Sequence, residues 1–223
     1  MTLSVVLRSS IFRKALAAVT GVLLFFFLIG HLAGNLGIFA GQSGFNGYAH
    51  FLKSKPLLLW GARLGLLATL TLHVYLTFML TMENRSARPQ PYAVDATRQA
   101  SKASQVMLVS GALLLAFIIF HLLHFTAGVI YPSYARLEHA GHPDAYGMVI
   151  NGFSHGWVVL VYLAAMLVLF SHLSHGISSL FQTLGLKHPR YSCLFNCGGK
   201  ALAVLIFLGY VAIPISIRLG YLK

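Results

Sequence analysis

Acidic side chains are nearly missing from this sequence. Only Glu83, Asp95, Glu138 and Asp144 occur among 223 residues, and all charged residues together make up 9% of the chain, against about 25% in soluble domains. None of the four lies inside a long apolar run, so a glutamate-based relay of protons across a membrane is not expected. Cysteine is equally scarce. Cys193 and Cys197 stand four apart with no other metal-binding side chain clustered near them, and they read as incidental. No repeat of 20–50 residues and no low-complexity tract stands out.

What the chain has in quantity is hydrophobicity, 57% of its residues. Roughly 20 apolar residues cross about 30 Å of hydrocarbon as a helix. The pattern predicts an all-α integral membrane protein, one domain over 1–223, with five transmembrane helices near 15–38, 57–81, 105–130, 156–181 and 201–219. The fifth run is the least clean, because Pro214 and Arg218 interrupt it, although membrane helices tolerate proline when neighbours satisfy the freed backbone. Arg8, Arg13 and Lys14 precede an apolar run too long for the core of a signal peptide, with no small-residue cleavage site after it. It is expected to stay attached as the first span.

Lysine and arginine set the expected orientation. The N-terminus and the second and fourth loops hold Arg8, Arg13, Lys14, Arg85, Arg88, Arg98, Lys102, Lys187, Arg190 and Lys200, and the opposite side holds six. The positive-inside rule places the N-terminus in the cytoplasm and, after an odd number of crossings, the C-terminus outside. Both cysteines then face a reducing compartment, where a disulfide is not expected. The formal charge of +12 is spread over short loops, so topology and acidic lipid head groups explain it better than nucleic acid does.

Four histidines, His31, His73, His121 and His172, lie inside four separate apolar stretches. An imidazole there must find a hydrogen bond or a metal. Helix direction alternates, so distance along each helix converts to depth. His31 and His121 each stand 16 residues into their spans, counted from positions 15 and 105, roughly 24 Å along the helix. Both belong to the outer half. His73 stands ten residues before Glu83, and His172 stands 16 after Gly156, which puts both in the inner half. The result is two layers, about 10–15 Å apart, each with two histidines from different helices.

Two bis-histidine haems fit that arrangement, since two trans imidazoles satisfy an iron porphyrin whereas a structural zinc wants about four ligands. The expected fold is a di-haem four-helix core plus one peripheral helix. Gly30 and Gly34 flank His31 and Gly176 follows His172 by one turn, where a missing side chain admits a flat ring or a neighbouring helix. Two spans carry a second histidine three residues on, His124 and His175, and spacing alone does not choose within either pair. His50, His139, His142, His155 and His188 fall in loops or at span ends and read mostly as solvated.

The chain resembles the single-polypeptide, five-helix, di-haem cytochrome b subunit of succinate:quinone oxidoreductases and quinol:fumarate reductases. The resemblance covers nearly the whole length. It rests on Gly30-His31-Leu32-Ala33-Gly34-Asn35, on His73 followed by Asn84-Arg85-Ser86-Ala87-Arg88-Pro89, on His121-Leu122-Leu123-His124, and on His172 with Gly176. It implies that the first histidine of each close pair is the ligand. His31 and His121 would hold the distal, outer haem, and His73 and His172 the proximal, inner one. It further implies a flavoprotein subunit with FAD and an iron–sulfur subunit, docked on the 82–104 loop and the N-terminal tail. Electrons would pass between these partners' clusters and a membrane quinone, menaquinone or another, through two haem b, while the dicarboxylate chemistry stays on a partner. The implied setting is a bacterial cytoplasmic (inner) membrane, multi-pass, and the resemblance allows a dimer of heterotrimers. Certain fumarate reductases have a glutamate two residues before the fourth-span ligand; this chain has Phe170.

A quinone site needs an apolar slot and a few hydrogen-bonding groups near a haem edge; the candidates are His50, Tyr48, Arg63 and His155. Arg63 could instead neutralise haem propionates or snorkel, and Tyr48 could be an interface anchor. Arg13, Lys14 and Lys187 are candidate partners for propionates of the inner haem. Other classes fit less well. A membrane di-iron hydroxylase would carry a His-x-x-His-His box, which is absent. A bc-type cytochrome would place paired ligands two or more turns apart on one helix, and a transporter would usually have broken helices at its midplane. The closest alternative is a cytochrome b anchor of another quinone-linked complex, such as a hydrogenase or formate dehydrogenase.

Overall fold

The computed structural model describes residues 9–87, 101–186, 190 and 192–223. Lys187, His188, Arg8, Arg98 and Asp95, most of the 82–104 loop and most of the N-terminal tail lie outside them. Five helices are long and apolar enough to cross a membrane. They belong to α1 (Ser10–Leu36), α3 (Pro56–Ser86), α4 (Met107–His121), α6 (Gly156–Thr183) and α7 (Ser192–Arg218); two shorter helices, α2 (Gln42–Lys53) and α5 (Ala145–Ser154), lie between them. The chain is thus an all-α, multi-pass membrane protein.

Its surface is inverted relative to a soluble protein. Leu57 is 90% exposed, and Leu58, Trp60, Leu64 and Leu67 beside it on α3 are also exposed, while Thr20, Ser110 and His124 are buried. In hydrocarbon the apolar side chains belong outside and the polar ones must find partners inside. The helices α1, α3, α4 and α6 contact one another in a ring, and α7 lies outside it against α6 and α1. Tyr210 on α7 donates to Leu28 O on α1 at 2.8 Å. Pro214 sits inside α7 without ending it, and both cysteines fall on this helix rather than in a loop.

Observed boundaries differ from expectation by several residues: α1 starts at Ser10 rather than 15 and α3 ends at Ser86 rather than 81, and α4 and α7 differ as well. The apolar part of the third crossing ends at Thr126 rather than near 130, because its last turn, Leu122–Thr126, widens into a π-helix. The amide of Ala127 donates to Leu122 O and that of Val129 to Leu123 O. Gly128 then takes φ +63° with its α-hydrogens facing Ala135, where a Cβ would lie 2.4 Å from the alanine methyl. The fifth crossing starts at Phe195, earlier than the expected 201.

The end of the bundle away from the N-terminus carries a cap that the sequence pattern did not reveal. Gly41, at φ +88°, turns the chain into α2, and a two-residue hairpin pairs Glu138 with Pro143 and His139 with His142. Asp144 caps α5 by accepting from Gly147 N at 2.9 Å, and also accepts from Gln42 and Asn46 of α2 at 3.0 and 2.8 Å. Burial alone would raise the Asp144 pKa; those three donors and the charge of His139 outweigh it and hold the carboxyl below its ordinary range. A buried apolar cluster that includes Ile38, Phe45, Phe153, Val158 and Tyr162 lies at this same end.

Candidate cofactor site

The four intramembrane histidines come from α1, α3, α4 and α6, the four helices of the ring. Each is half-buried, as is every residue of α6 from 168 to 181. The structure brings His31 and His121 together, their ring centres 5.9 Å apart and their planes at 85°. An atom bound through one nitrogen of each ring at an ordinary metal–imidazole length of about 2.0–2.1 Å would set the centres roughly 6.3 Å apart. In the other layer, His73 of α3 is held from α1 and His172 of α6 is held from α4.

Hydrogen bonds determine which ring nitrogen is available in that second layer. His73 Nδ1 lies 3.2 Å from Ala17 O, and a carbonyl only accepts, so the proton is on Nδ1. The Thr20 hydroxyl, 3.0 Å from the same nitrogen, is positioned to donate to Ala17 O at 2.9 Å or Leu16 O at 3.1 Å and to accept from the ring. His172 repeats the arrangement. Its Nδ1 is 3.0 Å from the Ser110 hydroxyl, which can donate to Met107 O at 3.0 Å. Both rings then present an Nε2 lone pair, the state of an imidazole whose other nitrogen is held by an outer-shell acceptor. The donor set fits a low-spin haem iron, with neutral nitrogen ligands in an apolar wall.

A glycine follows each hydroxyl residue and lies under the same ring. A Cβ on Gly21 would stand 3.4 Å from His73 Cε1, and one on Gly111 would stand 3.6 Å from His172 Cε1. These four residues were missed in the sequence, yet a signal exists. Thr20-Gly21 and Ser110-Gly111 each stand eleven residues before the outer-layer histidine of the same helix, 20 to 31 and 110 to 121. Eleven residues make about three turns, so both sites share one helix face about 16 Å apart. α1 therefore supports α3 as α4 supports α6, a short internal correspondence that a search for longer repeats does not catch.

The outer layer is built differently. His121 Nδ1 and His124 Nδ1 are each 3.1 Å from Tyr162 Oη. His124, within the π-turn, lies in a nest of Phe125, Phe153 and Tyr131 rings, and its Nε2 is buried without a partner among the described residues. Around His31, Phe27 stacks at 5.3 Å. Asn35 donates to His31 O at 2.7 Å and stands 3.4 Å from each ring nitrogen, too far to fix the ring firmly.

Compared with protein-family models, curated proteins and solved structures, this chain matches none.

The residues proposed for a quinone each have partners of their own. Tyr48 packs its ring on Gly34, where a Cβ would come within 2.7 Å of the phenol oxygen. His50 pairs with His142, rings 4.7 Å apart, and Arg63 lies over Trp60 at 5.1 Å on the exposed side of α3. His155 stacks on Tyr131 at 4.5 Å with planes 6° apart, and its Nε2 is 3.1 Å from Tyr134 Oη. Trp157 donates to Tyr131 Oη at 3.2 Å, and Tyr131 in turn lies 5.9 Å from His124. This aromatic group connects His155 to the outer layer.

At the opposite end, Arg13 pairs with Glu83. Lys14 instead lines a half-open cavity of about 540 Å³ with Ile11, Ala15, His175, Ser179 and Gln182. His175 is one turn beyond His172 toward that end. Phe170, two residues before His172, packs on Phe207 of α7 with ring centres 6.0 Å apart.

Proposed function

We propose that this chain is a di-haem cytochrome b, the membrane anchor and electron-transfer subunit of a succinate:quinone oxidoreductase or quinol:fumarate reductase in a bacterial cytoplasmic membrane. The observation that carries the reading is the pair of hydroxyl-supported histidines, His73 by Thr20 and His172 by Ser110, beneath a second layer in which His31 faces His121. Bound haem would supply one-electron redox chemistry at two levels of the bilayer. His73 and His172 would hold the inner iron, with their Nδ1 protons engaged so that Nε2 remains basic. His31 and His121 would hold the outer one. Lys14 in the inner cavity is placed to meet carboxylates, and Ser179 and Gln182 can donate beside it.

His155 is the best placed of the quinone candidates. Its Nε2 and the hydroxyls of Tyr131 and Tyr134 sit in an aromatic group that reaches His124, three residues from the outer His121, and an aromatic slot with a few polar groups suits a quinone ring. Flavin and iron–sulfur partners would dock at the N-terminal end.

Reduced-minus-oxidised spectra and iron determination on the purified chain test the reading, with two b-type haems per chain expected. A colourless protein would overturn it. The co-purifying subunits separate dicarboxylate chemistry from that of a hydrogenase or formate dehydrogenase.

A further inference from the structure

Tyr162 touches two histidines with one hydroxyl, 3.1 Å from Nδ1 of His121 and 3.1 Å from Nδ1 of His124. A phenol has a single proton, so it can donate to one imidazole and must accept from the other. The two Nδ1 atoms are therefore in opposite states. His121 faces His31, and if it binds iron through Nε2 its proton stays on Nδ1 and is donated to Oη. The Tyr162 hydroxyl then donates its hydrogen bond to Nδ1 of His124, which must carry its own hydrogen on Nε2. That nitrogen is buried and unpartnered among the described residues, and a Cβ on Gly152 would stand only 3.2 Å from it.

An orphaned buried N–H is costly, and here it is the counterpart of a fixed proton order in the chain His121, Tyr162, His124. We propose that Tyr162 and His124 are positioning residues for the outer haem: together they lock the Nδ1 proton of His121 toward Oη and hold the outer haem at a lower potential than an unsupported imidazole would. The proposal rests on the di-haem reading. The inner layer uses a different device, in which the Thr20 and Ser110 hydroxyls give their protons to their own helix backbone.

A donor bond from Nδ1 makes an imidazole a more basic ligand, which favours ferric iron. Redox titration and low-temperature EPR on the intact complex test the consequence. Tyr162→Phe should keep two haems, move the outer midpoint potential upward and shift the outer low-spin signal, with both inner properties unchanged. His124→Phe should move the outer signal in the same sense by a smaller amount, because the Tyr162 proton loses its acceptor. Wild-type outer values in both variants, or inner and outer values shifting together, would overturn the proposal. If Tyr162→Phe binds no outer haem, His124→Phe decides alone, and an unchanged outer potential refutes it. A wild-type complex without haem would instead overturn the di-haem reading itself.

Discussion

Removing the Ser110 hydroxyl is the sharpest test of the inner layer. Ser110→Ala deletes the one hydrogen-bond partner that His172 Nδ1 has among the described residues. Thr20→Val deletes a similar contact to His73 at 3.0 Å but leaves Ala17 O at 3.2 Å to accept the same proton. A buried donor left unsatisfied costs about 1–3 kcal/mol, and one that exchanges a shared bond for a remaining one costs about 0.5–1 kcal/mol. At 1.4 kcal/mol per decade, Ser110→Ala should weaken inner-haem binding by roughly 10- to 100-fold, the usual range for an outer-shell loss at a metal site. Thr20→Val should weaken it by about fivefold or less. Haem release into an apomyoglobin trap, followed at the inner haem's absorption band, measures both. Equal losses in the two variants, or release of the outer haem first, would refute the argument, because the asymmetry follows directly from the extra carbonyl.

Other outcomes follow from the same geometry. His73→Ala and His172→Ala should each remove the inner haem, and His31→Ala and His121→Ala the outer one, whereas His175→Ala should keep both irons ligated; difference spectra and iron counts check this set. Gly34→Ala should displace Tyr48, since the added methyl meets its ring within 2.7–3.1 Å, at a cost of about 1–3 kcal/mol, read as a lower midpoint in thermal unfolding in detergent. Asp144→Ala should cost about 1–2 kcal/mol through loss of the α5 cap and of the Gln42 and Asn46 contacts. Because the folded Asp144 pKa lies below its unfolded value, its contribution is fully present above about pH 4 and is lost as the pH falls through the folded value. Wild-type thermal stability should therefore decline on that acid limb more steeply than the variant's.

The layering of the candidate site was legible in the sequence because helix rise is a constant. Counting residues from span ends placed His31 with His121 and His73 with His172, and the structure brings the first two rings to 5.9 Å. The choice between His121 and His124 was not legible. They are three apart and both rings reach the Tyr162 hydroxyl, while the ring beside His31 is that of His121. The contacts of the quinone candidates were not legible for a related reason. Tyr48, His50, Arg63 and His155 all count toward the outer face, but depth says nothing about direction around the bundle.

The order of residues by itself fixed the lipid-facing character of the chain, the number of crossings and the heights of its histidines, since hydrophobic run length and 1.5 Å of rise per residue are local quantities. Only packing decided which helices face each other, that Thr20 and Ser110 sit beneath His73 and His172, that Tyr162 bridges two imidazoles, and that α2, α5 and a small hairpin close one end. Those are relations of azimuth and contact between segments far apart in sequence, set by how the helices rotate against one another, and hydropathy does not encode them.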